Sequence, residues 1–323
     1  MMRVKFMAAL LAGVLATTAS LAAEYPTGPI RMIVPFPAGG PVDVVGRIVS
    51  KRLGDVLGQN IIVDNRVGAA GGIGTQMAMS ATPDGYTLFI GSTATISILP
   101  AVNPKVRYNP DRDFVAIGVA ATGVHVLAVN GKSPASNLAE FRKMAETQKT
   151  PITVATGDGA SPPDLGTLAF EQQTGIKFQR IPYKGTGPGL ADVAAGHTQF
   201  IFVDTSSAMS LLQSGDIKAI GIASLERSSL LPNVPTMDEQ GLKGFESGGW
   251  FGVFAPVGVP KDVYNRVATA LAQVLKDPET QASFTKLGLT HLQLTGEAAI
   301  ERVKKENEKW GKLVAASGTR ASD

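Results

Sequence analysis

The chain has no cysteine among its 323 residues. That excludes disulfide bracing, thiolate nucleophiles and cysteine-held metals, and a chain this long relies on a large hydrophobic core instead. Histidine is nearly as scarce. His125, His197 and His291 lie far apart and in no metal-ligand spacing, so each reads as a surface or packing residue. The G-x-S-x-G elbow of many serine hydrolases is missing. "GKS" at Gly131–Ser133 lacks the glycine that a phosphate loop needs five residues upstream, where Val126 stands. "GAAGGIG", Gly68 to Gly74, departs from the dinucleotide spacing and reads as a loop between elements. Internal repeats, low-complexity tracts and long like-charge blocks are absent. With Arg3 and Lys5 set aside, 28 basic residues face 27 acidic ones, a net of +1. No basic patch interleaves with aromatics, which excludes nucleic acid as a partner.

Past the N-terminus there is no apolar run of the roughly 20 residues that a bilayer crossing needs. The start itself is of another kind. Arg3 and Lys5 precede an apolar stretch from Phe6 to Ala16, and "TTASLAA" supplies small residues before Glu24. Residues 1–23 therefore read as a secretory signal cut near Ala22 or Ala23, with a core too short to span a membrane. No cysteine stands at the cut, so a lipid anchor is not expected, and the mature product is expected in the periplasm as a soluble protein.

What the chain does have is alternation. Strand candidates are "IRMIVPF", "NIIVDN", "YTLFIGS", "VHVLAVN", "ITVAT", "FQRIPY", "FIFVD", "KAIGIAS" and "WFGVFAP". Helical spacing lies between most of them: Val45, Val49, Leu53 and Val56 after Asp43, "LAEFRKMAETQ" behind Asn137, and "LGTLAFEQQ" behind Asp164. Such alternation predicts α/β layers with mainly parallel sheets. Two terminal stripes, Val263, Val267, Leu271 and Val274, then Ile300, Val303, Trp310 and Leu313, predict helices that pack on a finished domain with no strand after them. Two lobes are expected, the chain crossing near Ala121–Gly131 and returning near Gly248–Ala255.

Ligands of α/β sheets gather beyond the carboxyl ends of strands. Four such ends here carry glycine, hydroxyls or an acid: "PAGGPVD" after Phe36, "GSTAT" after "LFI", "GDGASPPD" after "TVAT", and "DTSSA" after "FIFV". Glycine lets backbone N–H groups approach a ligand, and a following helix adds partial positive charge. Asp43 is expected to cap or stabilise its helix rather than touch ligand. Neutral donors dominate these loops and cationic side chains are few, which suits a small carboxylate.

An ordered set of segments resembles the Bug family of periplasmic solute-binding receptors, the extracytoplasmic components of tripartite tricarboxylate transporters. They read "YPTGPIRMIVPFPAGGPVDVVGR", "IIVDNRVGAAGGIGT", "PDGYTLFIGS", "YNPDRDFVAIG", "GASPPDLG", "IPYKGTGPGLADVAAG", "FVDTSSA", "LERSSLLPNVPTMDEQGL" and "WFGVFAPVGVPK". The resemblance covers nearly all of the mature chain. It implies a two-lobed α/β periplasmic binding protein fold, type II-like, closing on ligand in an interlobe cleft. The lobes would be 24–125 with 252–323, and 126–251.

By the same resemblance, the ligand-binding residues would be Phe36, Ala38, Gly39 and Gly40 in the first loop, Ser92 and Thr93 after the third strand, and Thr156, Ser161 and Asp204 in the second lobe. The glycines would donate backbone N–H groups, Ser92, Thr93 and Ser161 hydroxyls, and Phe36 a wall, while Asp204 would accept from a hydroxyl or ammonium. Many members read "GSPPHL" where this chain has "ASPPDL", so Ala160 and Asp164 depart from the pattern. The implied protein is a non-enzymatic monomer without cofactor or metal. It would capture a dicarboxylate, aromatic acid or amino acid and present it to membrane permease subunits, or, alternatively, relay it to a sensor kinase. A secreted hydrolase or ligase would need a nucleophile and base that the sequence alone does not assemble.

Overall fold

The computed structural model describes residues 25–157, 161–183 and 186–317. The expected leader, Ala160, and Lys184 and Gly185 of "YKGTGPG" lie outside the described residues. Strand β1 (Ile30–Val34) is apolar except for Arg31 and is otherwise buried. Helix α1 (Pro41–Leu57) turns Val42, Val45, Val49, Leu53 and Leu57 to the core and stops at Gly58, whose φ of 72° lets its N–H close on the Gly54 carbonyl. Strand β2 (Ile61–Asn65), helix α2 (Gly72–Met79) and strand β3 (Thr87–Ser92) follow, with β1 parallel to both strands.

Strand β4 (Phe114–Asn130) is 17 residues long. After it come α3 (Leu138–Thr147), β5 (Ile152–Thr156), α4 (Pro162–Thr174), β6 (Phe178–Pro182), α5 (Thr186–Ala195), β7 (Phe200–Asp204), α6 (Thr205–Ser214) and β8 (Ile217–Ile222). Strand β9 (Gly248–Pro256), α7 (Lys261–Lys276), α8 (Pro278–Lys286), β10 (Leu289–Thr295) and α9 (Glu297–Ser317) complete the described chain.

One strand serves two sheets. Up to Val124, β4 pairs with β9 and β10; from His125 on it pairs with β7 and β8. The first sheet therefore runs β2-β1-β3-β9-β4 with β10 on the far side of β4, and the second runs β4-β7-β5-β6 with β8 across from β7. The returning chain crosses beside the outgoing one. His125 N–H donates to the Ser247 carbonyl at 3.0 Å, Ser247 N–H to Ala223 at 2.9 Å, and Ala223 N–H back to His125 at 2.8 Å.

Each sheet is covered on both faces. On the first, α1, α7 and α8 press Val45, Val49, Leu271, Val274 and Phe284 onto Met32, Leu88 and Val253. On its other face Ala78, Ala299 and Val303 meet Phe89, Phe114, Trp250 and Phe254. The second sheet buries a phenylalanine cluster under α3 and α4, in which Phe170 and Phe178 stack with centroids 5.8 Å apart. Its reverse face packs Val126, Ile201 and Val203 against Leu190, Val193 and Ala208.

Two sequence expectations need correction. Each sheet is parallel on one flank only, β2-β1-β3 and β7-β5-β6; pairing at β4 and β9 is antiparallel, because these two run between the lobes in opposite directions. And β10 is a strand lying between the two terminal helical stripes. Its pairing with β4 shifts register between His291 and Leu294, so its apolar residues do not alternate and the period-2 signal is lost. The helical stripes themselves pack on the two faces of the first sheet.

Candidate functional site

Between β1 and α1, two prolines and two glycines leave a short loop with Pro41 at the first helical position. Gly39 holds φ +84°, a conformation open to glycine and strained for side chains, and a Cβ there would meet nothing within 4 Å. Gly40 caps the helix without a side chain. The first amides of any helix lack an internal acceptor, and no capping side chain takes them here.

Asp43 does not cap its helix. It is buried, and Oδ2 accepts from Gly39 N–H at 2.9 Å and from Arg47 Nε at 2.9 Å. Oδ1 accepts from Asn65 Nδ2 at 2.8 Å, and the same amide reaches the Phe36 carbonyl at 3.0 Å. Burial opposes ionisation of Asp43, but the hydrogen bonds from Arg47, Gly39 and Asn65 together hold its carboxyl below the ordinary range. The loop is thus tied to its helix and to the end of β2. Ala38 and Gly39 are exposed, and the half-buried Phe36 ring lies against Gly71, where a Cβ would come within 3.1 Å of it. The "GAAGGIG" turn therefore walls the loop.

After β3 the chain enters a turn of π-helix, Thr93–Ile98, a geometry that recurs at functional sites. Ser92 caps it, and Ser92 N–H donates to Thr95 Oγ1 at 3.1 Å. Thr93 is buried and its Oγ1 accepts from the Trp250 N–H at 2.8 Å. Beyond the turn, Ile98 and Val102 join Leu165 of α4 and Trp310 and Val314 of α9 in one apolar cluster, which bridges the lobes.

In the second lobe Ser161 caps α4 and Pro162 again takes the first helical position. Asp164 is buried, and its Oδ1 accepts from Gly157 N–H at 2.7 Å. Its Oδ2 accepts from Ser161 Oγ at 2.7 Å and Ser161 N–H at 3.3 Å. The carboxylate that departs from the family pattern is turned onto its own loop backbone. Thr156, at the end of β5, donates to the Ile181 carbonyl at 3.4 Å.

Asp204 ends β7 and makes no capping bond to α6. It sits opposite His125 in the β4–β7 pairing, with Oδ1 3.6 Å from His125 Nε2. His125 Nδ1 lies 2.8 Å from Ser247 Oγ. A serine, a histidine and an aspartate in line resemble a hydrolytic triad, but this one is sealed. Ser247 and His125 are buried, and Gly166 of α4 covers them so closely that a Cβ on it would be 2.2 Å from the serine oxygen. Burial pushes the His125 pKa down, opposed by the nearby Asp204.

The residues expected from sequence thus come together in pairs with organising neighbours: Gly39 with Asp43, Ser92 with Thr95, Ser161 with Asp164, Asp204 with His125. Among the described residues no hydrogen bond joins the first loop to Thr156, Ser161 or Asp204. Sequence reasoning missed the parts played by Asn65, Arg47, His125 and Ser247. The i,i+4 spacing of Asp43 and Arg47 was the one local signal; Asn65 and Ser247 arrive from far along the chain. A cavity of about 300 Å³ opens beside the Ser247–His125 pair, at the two crossings, lined among others by Gly123, Ser247, Trp250, Arg302 and Lys309, and by none of the nine expected site residues. Among the described residues no three His, Asp or Glu side chains group to share a metal ion, and no helix is long and apolar enough to cross a membrane.

Two α/β sheets joined by paired crossings, with glycine loops at the strand ends, define a two-lobed solute-binding protein. The chain belongs to the tripartite tricarboxylate transporter family receptors, whose family model matches residues 45–319. BugT of Bordetella pertussis is 31% identical over 314 residues, covering 95% of this chain and 96% of that protein. MatC of Rhodopseudomonas palustris, solved with bound malate, is 30% identical with a TM-score of 0.75, covering 90% of this chain and 100% of that one. A second R. palustris protein, solved with adipate, is 27% identical with a TM-score of 0.77, covering 92% of this chain and 99% of that one.

Proposed function

We propose that the protein is a periplasmic receptor that captures a small organic carboxylate, foremost a dicarboxylate, between its lobes and delivers it to a membrane permease. One observation carries this reading. On both lobes a buried aspartate at the third position of a helix pins a glycine amide of the preceding loop, Asp43 to Gly39 and Asp164 to Gly157. Each helix begins with proline. Helix α1 leaves the Val42 and Asp43 amides without a capping side chain, where they and the helix dipole favour an anion. Helix α4, in contrast, has proline at its first two positions, and its third amide bonds Ser161 Oγ.

Arg47, a cation beside the first loop, is committed to Asp43. Recognition therefore falls to neutral donors, which suit a carboxylate better than a polyphosphate. Malate in MatC and adipate in the second R. palustris protein are of the matching class. The lobes, 24–125 with 252–323 and 126–251, would close about the paired crossings. Delivery to a permease follows from the family's role, and an N-terminal leader removed near Ala22 or Ala23 would put the receptor in the periplasm.

The test is a thermal-shift panel on the chain from Glu24, unfolded and refolded to strip carried-over ligand, with malate, succinate, adipate, aspartate, benzoate and nicotinate. A ligand at 100 times its Kd stabilises the fold by roughly 2.7 kcal/mol, a rise of a few degrees. A dicarboxylate hit supports the reading; silence from the whole panel contradicts it.

A further inference from the structure

His125 is the most deeply buried titratable group near the site, and half of its bonding capacity is unspent. Nδ1 lies 2.8 Å from Ser247 Oγ, whereas Nε2 is buried without a hydrogen-bond partner. The nearest charge to Nε2 is Asp204 Oδ1 at 3.6 Å, too long for a hydrogen bond but close enough for a directed electrostatic contact. The register explains the aim. His125 and Asp204 are direct cross-strand partners, so their side chains leave the same face of the sheet.

A neutral imidazole carries one proton and has two arrangements. With the proton on Nδ1, a bare Nε2 lone pair would face the carboxylate. With the proton on Nε2, the N–H points at Asp204 and Nδ1 accepts from the Ser247 hydroxyl, so every polar atom of the pair has a favourable neighbour. The same contact orients Asp204. Its Oδ1 is held between the imidazole and the backbone of Gly123, where a Cβ would come within 3.4 Å of it. Asp204 spends no oxygen on the helix that follows, and its side chain is 37% exposed, which leaves Oδ2 for a ligand.

We infer that His125 is a positioning residue that turns Asp204 to read a hydrogen-bond donor, a hydroxyl or an ammonium, on the bound carboxylate. The inference rests on the receptor reading above. An ionised carboxylate only accepts, so this end of the site favours a hydroxy- or amino-dicarboxylate over its unsubstituted counterpart. Ser247, on the returning crossing, fixes the imidazole tautomer.

The first test reads the wild-type protein, with a variant used only to assign the signal. In wild-type protein with 15N-labelled histidine, three imidazoles give signals, and the one that vanishes in H125Q is His125. A neutral ring protonated on Nε2 at pH 7 is expected; a proton on Nδ1 overturns the inference. The second test compares malate with succinate by titration calorimetry in wild type, H125N and H125Q. The amide of H125N stays near Ser247 and cannot reach Asp204, whereas the longer H125Q places its N–H where Nε2 was. The malate-to-succinate affinity ratio is expected to fall about tenfold in H125N and to survive in H125Q. Equal losses for both ligands, or an unchanged ratio in H125N, would mean a merely structural histidine and overturn the inference alone. Wild type binding neither probe removes the dicarboxylate reading, and this inference falls with it.

Discussion

The two lobes build their loops to one plan and brace them differently. In the first, the aspartate at the third helical position receives a guanidinium, a side-chain amide and a glycine amide, and through Asn65 it reaches the carbonyl of Phe36. In the second, the equivalent aspartate receives a serine hydroxyl and two backbone amides. The first loop is therefore charge-paired and tied across two elements, whereas the second is braced from within its own turn.

Removing the aspartate from the first lobe breaks the comparison hardest. Asp43→Ala leaves Gly39 N–H and Arg47 Nε without this acceptor and Asn65 with only the Phe36 carbonyl, and is expected to abolish dicarboxylate binding and cost about 2–3 kcal/mol of stability. Calorimetry and urea unfolding read both; near-normal affinity would show that the loop does not need its brace. Gly39→Val comes next. Since no atom lies within 4 Å of the new Cβ, the penalty is conformational, about 1–2 kcal/mol for a branched residue at positive φ, and binding is expected to be lost. Retained affinity there would remove the loop from the site.

Asp164→Ala is expected to cost less, about 1 kcal/mol, because it removes one half of a capping box and leaves Ser161 as the cap. Its effect on binding should be modest and alike for mono- and dicarboxylates, because the carboxylate faces its own backbone. A strong gain for dicarboxylates alone would mean that the charge acts on the ligand. Asp204→Ala should alter which ligands bind more than whether any binds, and an unchanged profile in the same titrations would make Asp204 structural.

The smallest effect is one of pH. Burial holds the His125 pKa below its unfolded value of about 6.5. The unfolded chain therefore binds the extra proton first, and stability falls as pH drops below that value toward the folded pKa. Stability should therefore fall as pH drops from 7 to 6, and H125N should lose that share of the slope. Asp43 runs in a lower window. Its folded pKa is depressed, so its stabilisation is present above the unfolded carboxyl value and disappears only as pH falls through the folded one. Urea midpoints measured from pH 7 down to about pH 2 separate the two windows.

Sequence reading reached most strands, because short β-branched runs between turn residues are a local signal. It missed β10, where a bulge scrambles the alternation, and the first half of β4, whose small residues Gly118, Ala120, Ala121 and Gly123 read as loop until paired on both sides. The loops at the strand ends were legible for the same reason as the strands: glycine, proline and hydroxyls cluster there. Their bracing was not. Asn65 reaches Asp43 from 22 residues away, and Ser247 reaches His125 from 122. A lone histidine in "VHVLAVN" carries no mark of the carboxylate opposite it; only strand register brings Asp204 there.

The most direct test of the receptor account is an amide chemical-shift titration of the wild-type chain from Glu24 with malate. The account predicts that the largest changes fall on Gly39, Gly40, Val42 and Asp43 in the first loop and on Gly157 and Ser161 in the second. Changes confined to the cavity lined by Trp250 and Arg302, with those loop amides unmoved, would contradict it.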